Sequence, residues 1–168
     1  MPISEQALSN LRQHPLTRGL SEVELNSLQQ ILEEKEYHKD EIVIKPGQSS
    51  ASLYLLMKGA LSFVKSNAYD PNKLTTFLIR APNVLGESSF LKPSSPTDEF
   101  KANEEGTIIY IIDRQRLENE QKTLSNKILL NLVRMELEGA RQPPIIMSEQ
   151  LQRERYSENR RQSLQSIK

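Results

Sequence analysis

The stretch Val84-Leu85-Gly86-Glu87-Ser88-Ser89-Phe90-Leu91 holds the groups of this chain best suited to binding a ligand. A glycine, a carboxylate and two serines lie between an extended run and a short apolar turn. That order predicts the start of a helix with exposed backbone amides, a place that attracts anions. Many short helices that bind nothing begin the same way, because Gly and Ser are ordinary capping residues. Other chemistry is sparse. The chain has no cysteine, which removes disulfides, thiolate metal sites, iron–sulfur clusters and cysteine nucleophiles. Its 2 histidines, His14 and His38, are too few for a three-histidine metal centre. Neither has an Asp or Ser partner assignable from its neighbours, so no catalytic residue and no metal ligand is expected. Arg160-Arg161-Gln162-Ser163-Leu164 resembles a basophilic kinase site with Ser163 as acceptor, a pattern that basic clusters also produce by chance.

The elements that must position these residues follow from periodicity. Residues 1–36 read as a helical lead-in: Leu8, Leu11, Leu20, Val23, Leu28, Ile31 and Leu32 recur at three- and four-residue spacing, and Ser21 with Glu24 forms a capping box. Residues 37–113 change period. Short β-branched and aromatic runs, such as Leu74–Ile79 and Thr107–Ile112, alternate with turn signals such as Pro46-Gly47, Lys58-Gly59 and Pro82-Asn83. That spacing predicts a small sandwich, roll or barrel. Residues 114–141 return to helical spacing. Residues 142–168 read as a polar tail opened by Pro143-Pro144, either disordered or a helix formed on contact. Its charge is basic, whereas the whole chain balances at 22 basic and 22 acidic residues.

In the last helix the apolar residues form two stripes, Leu124, Ile128, Leu132 and Met135 on one side and Leu129, Leu130, Val133 and Leu137 on the other. Together they span about 240°, against roughly 100° for a helix packed on one side. One face is expected to cover the β-structure and the other to meet a second subunit. The alternative is that residues 4–36 fold over it.

A zero net charge argues against a dedicated nucleic-acid or membrane-surface binder. No apolar run reaches the roughly 18 residues of a membrane span. The start of the chain lacks the pattern of a signal peptide, so a cytoplasmic protein is expected. Its 168 residues suit one domain, and 36% apolar content leaves part of the chain outside the core.

Residues 16–138 as a whole resemble the cyclic-nucleotide-binding domain family, that of the catabolite activator protein and the kinase regulatory subunits. The resemblance is carried by the lead-in LTRGLSEVELNSLQQILEEKEY, the strand and turn DEIVIKPGQ, and SLYLLMKGALSFVKS with Gly59 at its turn. It continues through VLGESSFL, similar to the aromatic-Gly-Glu phosphate cassette with Leu85 in the aromatic place, and GTIIYIIDRQRL before the final helices. It implies an α+β fold: an antiparallel, jelly-roll-like β-roll (a double-stranded β-helix) flanked by N-terminal helices and a long C-terminal helix. That helix commonly makes the dimer interface in the family, here through Leu124, Ile128, Leu129, Leu132, Val133 and Met135. The ligand site implied is Gly86, Glu87, Ser88 and Ser89 with Thr97.

The cassette departs from the family pattern. In binding members the Glu takes the ribose 2′-hydroxyl, and an Arg nine or ten residues later clamps the cyclic phosphate. Glu87 fits the first role, but Pro96-Thr97 stands where the Arg belongs, and Asp98 and Glu99 follow. The lost bidentate clamp is one of the strongest phosphate contacts available. Lys92 and Lys101 are the nearest point charges. The expectation is a stand-alone, non-enzymatic regulatory or interaction module that does not hold a cyclic mononucleotide in the usual way. It would be a homodimer signalling through protein contacts, with a further protein partner reached through residues 142–168. No cofactor is expected. The alternative is a genuine sensor of cAMP, cGMP or a cyclic dinucleotide with an atypical phosphate contact. An enzyme of the small-barrel cupin type would need two or three metal ligands on adjacent strands, which His38 alone does not supply. Residues 142–168 are too few and too polar for a packed helix-turn-helix, so DNA binding is not expected.

Overall fold

A computed structural model describes residues 5–48, 51–66, 70, 72–92, 94–120, 122–139 and 142–147. The chain opens with α1 (Glu5–Gln13), a 3₁₀ turn (Pro15–Thr17) and α2 (Glu22–Ile31). The capping box forms as expected: Ser21 N donates to Glu24 Oε2 at 2.7 Å, and Glu24 N donates to Ser21 Oγ at 3.3 Å. The helical lead-in stops at Ile31, short of residue 36, because Leu32 turns to extended geometry. Glu33–Tyr37 is strand β1, each residue paired in register with strand β8 (Thr107–Asp113) from Ile111 to Thr107. Nothing apolar alternates in Glu-Glu-Lys-Glu-Tyr. The ladder offered by a neighbouring strand overrides its local preference.

The strands that follow are β2 (Ile42–Ile44), β3 (Ser52–Lys58), β4 (Ala60–Ser66), β5 (Leu74–Arg80), β6 (Asn83–Leu85), β7 (Phe100–Ala102) and β8 (Thr107–Asp113). With β9 (Ile145–Ile146) they form two antiparallel sheets, ordered β1-β8-β3-β6 and β2-β7-β4-β5-β9. This is the expected β-roll. β3 is buried on both faces, which is why it reads as an almost unbroken apolar run. Tyr54 and Leu56 join Ile44, Leu61, Phe63, Ile79 and Ile109 in the roll interior. Leu53 and Leu55 point the other way, into a second cluster with Leu11, Leu16, Leu28, Phe90 and Ile112.

Two helices close the roll, α4 (Arg114–Asn119) and α5 (Lys122–Glu138). Leu124, Ile128, Leu132 and Met135 of α5 belong to the second cluster and are at most 4% exposed. These four expected dimer residues are therefore spent inside the monomer. Leu129 packs partly against the same cluster, whereas Leu130, Val133 and Leu137 are 50%, 45% and 81% exposed. The polar side of α5 is not simply solvated either. Asn131 is buried and its Nδ2 donates to Leu16 O at 2.9 Å and Arg18 O at 2.8 Å. Lys127 Nζ meets Glu24 Oε2 at 2.8 Å and, with Ser21, holds that carboxyl down at about 2. The N-terminal elements thus share α5 with the roll, so its wide apolar arc needs less outside cover than its angle suggests.

The tail expected from residue 142 also needs correction. Ile145–Ile146 form β9, pairing with Leu78 and Phe77 at the edge of β5. Met147 N donates to Thr76 O at 3.0 Å, and the Met147 side chain packs on Ala60 and Leu78. Edge pairing satisfies backbone groups that a polar reading of the segment leaves out of account. Residues 148–168, with Arg153, Arg155, Arg160, Arg161 and the expected acceptor Ser163, lie outside the described residues.

Candidate functional site

The site is built at the junction of β6 and the one-turn helix α3 (Glu87–Leu91). Gly86 caps α3 with φ of 84°, a left-handed conformation. A Cβ there would fall 2.5 Å from Ser52 O and 3.0 Å from the Tyr54 ring, so the backbone crosses β3 too closely for any side chain. Phe90, 1% exposed, anchors α3 in the core. At its far end Arg114 Nη1 donates to Phe90 O at 2.8 Å and Leu91 O at 3.3 Å, while Arg114 Nε donates to Glu118 Oε1 at 2.7 Å. One arginine therefore ties α3 to α4.

A cavity of about 240 Å³ opens beside α3. Gly86, Glu87, Ser88, Ser89 and Thr97, the five residues expected from the sequence, all line it. Ser94, Ser95 and Pro96 complete one loop of its wall, pinned where Gly47 N donates to Pro96 O at 2.9 Å. Ser52, Tyr54, Ile44 and Phe100 also line it and were not foreseen. They come from β3, β2 and β7, and no short motif links them to the cassette.

The electrostatics run against an anion. No Lys, Arg or His lines this cavity among the described residues. Asp98 faces in and pairs with Lys65 at 3.3 Å, whereas Glu99 pairs with Lys101 at 3.0 Å and is not part of the lining. Lys92 and Lys101 are likewise outside the lining. A second cavity of about 260 Å³ adjoins the first, sharing Gly86, Glu87, Asp98 and Phe100 and adding Lys65, Phe63 and Ile79.

The histidines lie elsewhere. His14 is 4% exposed, its Nδ1 accepts from Leu16 N at 3.2 Å, and burial lowers its pKa to about 4. His38 is exposed and bonded to Glu105, which raises its pKa. Among the described residues no three His, Cys, Asp or Glu are grouped to hold a metal ion, and no helix is long and apolar enough to cross a membrane.

The model of the cyclic nucleotide-binding domain family matches residues 34–123. No curated protein matches the chain. Among solved structures, a cyclic nucleotide-binding domain from Methylobacillus flagellatus is 18% identical with a TM-score of 0.68, over 79% of this chain and 78% of that one. The catabolite activator protein of Thermus thermophilus is 20% identical with a TM-score of 0.60, over 76% of this chain and 60% of that one. The regulatory subunit of a cAMP-independent protein kinase A from Trypanosoma brucei is 19% identical with a TM-score of 0.64, over 79% of this chain and 47% of that one. The chain spans less than two thirds of the last two proteins. At these identities the likeness is one of fold. Since the family model matches more than half of the sequence and the roll it describes is the one formed, the chain belongs to the cyclic nucleotide-binding domain family.

Proposed function

We propose that the chain is a non-enzymatic regulatory module whose cavity does not hold a cyclic mononucleotide in the usual way, and which signals through protein contacts in the cytoplasm. The observation that carries this is the lining of the first cavity: Glu87 and Asp98 face it, and among the described residues no cationic side chain does. A cyclic phosphate leaving water needs charge-assisted donors in return, and a single-turn helix with serine hydroxyls is a weak replacement for a guanidinium fork. The Trypanosoma neighbour, described as cAMP-independent, lends support by sharing the fold while regulating a kinase. The exposed stripe Leu130, Val133 and Leu137 supplies a contact surface, and a second copy of the chain is its proposed occupant.

Calorimetric titration of the purified protein with cAMP, cGMP and cyclic di-GMP tests the reading. No saturable binding tighter than about 10 μM, or about −7 kcal/mol, is expected. Replacing the missing clamp should then create a site. Thr97→Arg is expected to tighten cAMP binding by about tenfold or more, the range of a charge-assisted hydrogen bond. Tight binding by the unmodified protein would overturn the reading and favour the atypical sensor. Glu87 standing at the ribose position speaks for that second reading, and Glu87→Ala should then weaken the affinity.

A further inference from the structure

The second cavity is not walled by the roll alone. Gln142, Pro143 and Pro144, which come after α5, line it together with Phe63, Ile79 and the shared residues Glu87 and Phe100. The segment is held along its length. Asn83 is 4% exposed and its Nδ2 donates to Gln142 O at 3.0 Å. Ile145 and Ile146 pair with Leu78 and Phe77, and Met147 N donates to Thr76 O at 3.0 Å. Side chains alternate along β5, so Phe77 and Ile79 face the roll interior while Leu78 faces out. Met147, 8% exposed, covers Leu78 and Ala60 on that outer face. The segment therefore runs from a cavity wall, along the sheet edge, to an apolar latch on the far side of the sheet. Two prolines suit the wall, since they bring no N–H that a cavity would leave unpaired and their fixed φ keeps the segment extended.

We propose that Gln142–Met147 is a strap that closes the second cavity: Pro143 and Pro144 wall it, and Met147 is the latch that holds the strap closed. A short edge pairing and one buried side chain place the strap among the elements that open locally while the rest of the fold persists. The closure is a property of the strap and the cavity, and it is tested with no ligand present.

The absence of cysteine makes a direct test available. Ile79→Cys places one thiol in the second cavity, and Ile112→Cys places one in the helix-side core, away from the strap. Each is labelled with dithionitrobenzoate in the native background, with Met147→Asp, and with Met147→Leu. Met147→Asp is expected to speed labelling of Ile79→Cys by about tenfold or more, as local opening shifts, while Met147→Leu leaves it at the native rate. Ile112→Cys is expected to stay slow in all three backgrounds. Equal rates at Ile79→Cys with and without Met147→Asp would overturn the proposal. So would equal acceleration at Ile79→Cys and Ile112→Cys, which marks general loosening instead of an opened strap.

Discussion

His14 carries a pH dependence that its position in the sequence does not announce. It lies in the turn between α1 and the 3₁₀ turn, 4% exposed, with one ring nitrogen accepting from Leu16 N. Its Nε2 has no hydrogen-bond partner among the described residues. Burial disfavours the charged ring and moves its pKa from 6.5 to about 4. In the unfolded chain the imidazole protonates near its ordinary value, and in the folded chain only well below it. Between those values the unfolded state binds more protons, so stability is complete above about pH 6.5 and falls as the pH drops toward 4. At about 1.4 kcal/mol per pH unit, the loss over this window is on the order of 3 kcal/mol. Urea melts from pH 7 to 4.5 should show this decline, and His14→Asn should flatten it. Parallel declines in the two proteins would show that His14 is not the cause. The sequence sets His14 next to Pro15 and carries no sign of this burial. The cassette residues were easier to find, since Gly86, Glu87, Ser88 and Ser89 are contiguous and carry their pattern with them.

Strand β6, Gly86 and helix α3 act as one element, because the glycine sets the angle at which the helix leaves the sheet. Gly86→Ala meets two penalties together, a φ of 84° and a Cβ 2.5 Å from the carbonyl oxygen of Ser52. A loss of about 2 kcal/mol or more is expected. Gly47→Ala shares the positive φ of 73° but has nothing within 4 Å of its Cβ, and should lose only about 1 kcal/mol. Equal losses in urea melts of the two variants would remove the close approach to β3 as the reason for this glycine. Other elements show where local reading stops. β8, a short β-branched and aromatic run, was visible in the sequence. β1 was not, because its four charged residues hold a strand only while β8 lies beside them.

At the scale of the whole molecule the question is what α5 leaves uncovered. Its inner stripe is shared by the N-terminal turn and the outer face of the β3–β8 sheet, and Leu130, Val133 and Leu137 remain open. Light scattering at micromolar concentration is expected to report a dimer. Val133→Glu with Leu137→Glu should give a folded monomer, because both side chains already lie in water within the monomer. Leu124→Glu with Leu132→Glu should unfold the chain, since each would bury an unpaired charge. A native protein that scatters as a monomer throughout that range would end the dimer proposal.

What the sequence determined by itself is what short-range order can encode. It placed the capping box at Ser21 and Glu24, the change to short strands separated by turns, and the glycine turn at Gly86. Each depends on residues within about one turn or one strand of each other. The tertiary structure alone decided that Glu33–Tyr37 is a strand, that Leu124 and Leu132 face inward while Val133 does not, and that Ser52 and Tyr54 join the cavity. It also decided that Ile145–Met147 returns to the edge of β5. These outcomes have a common physical reason. A backbone ladder or an apolar contact between distant segments stabilises both partners only once the fold has brought them together, so neither segment carries the signal alone.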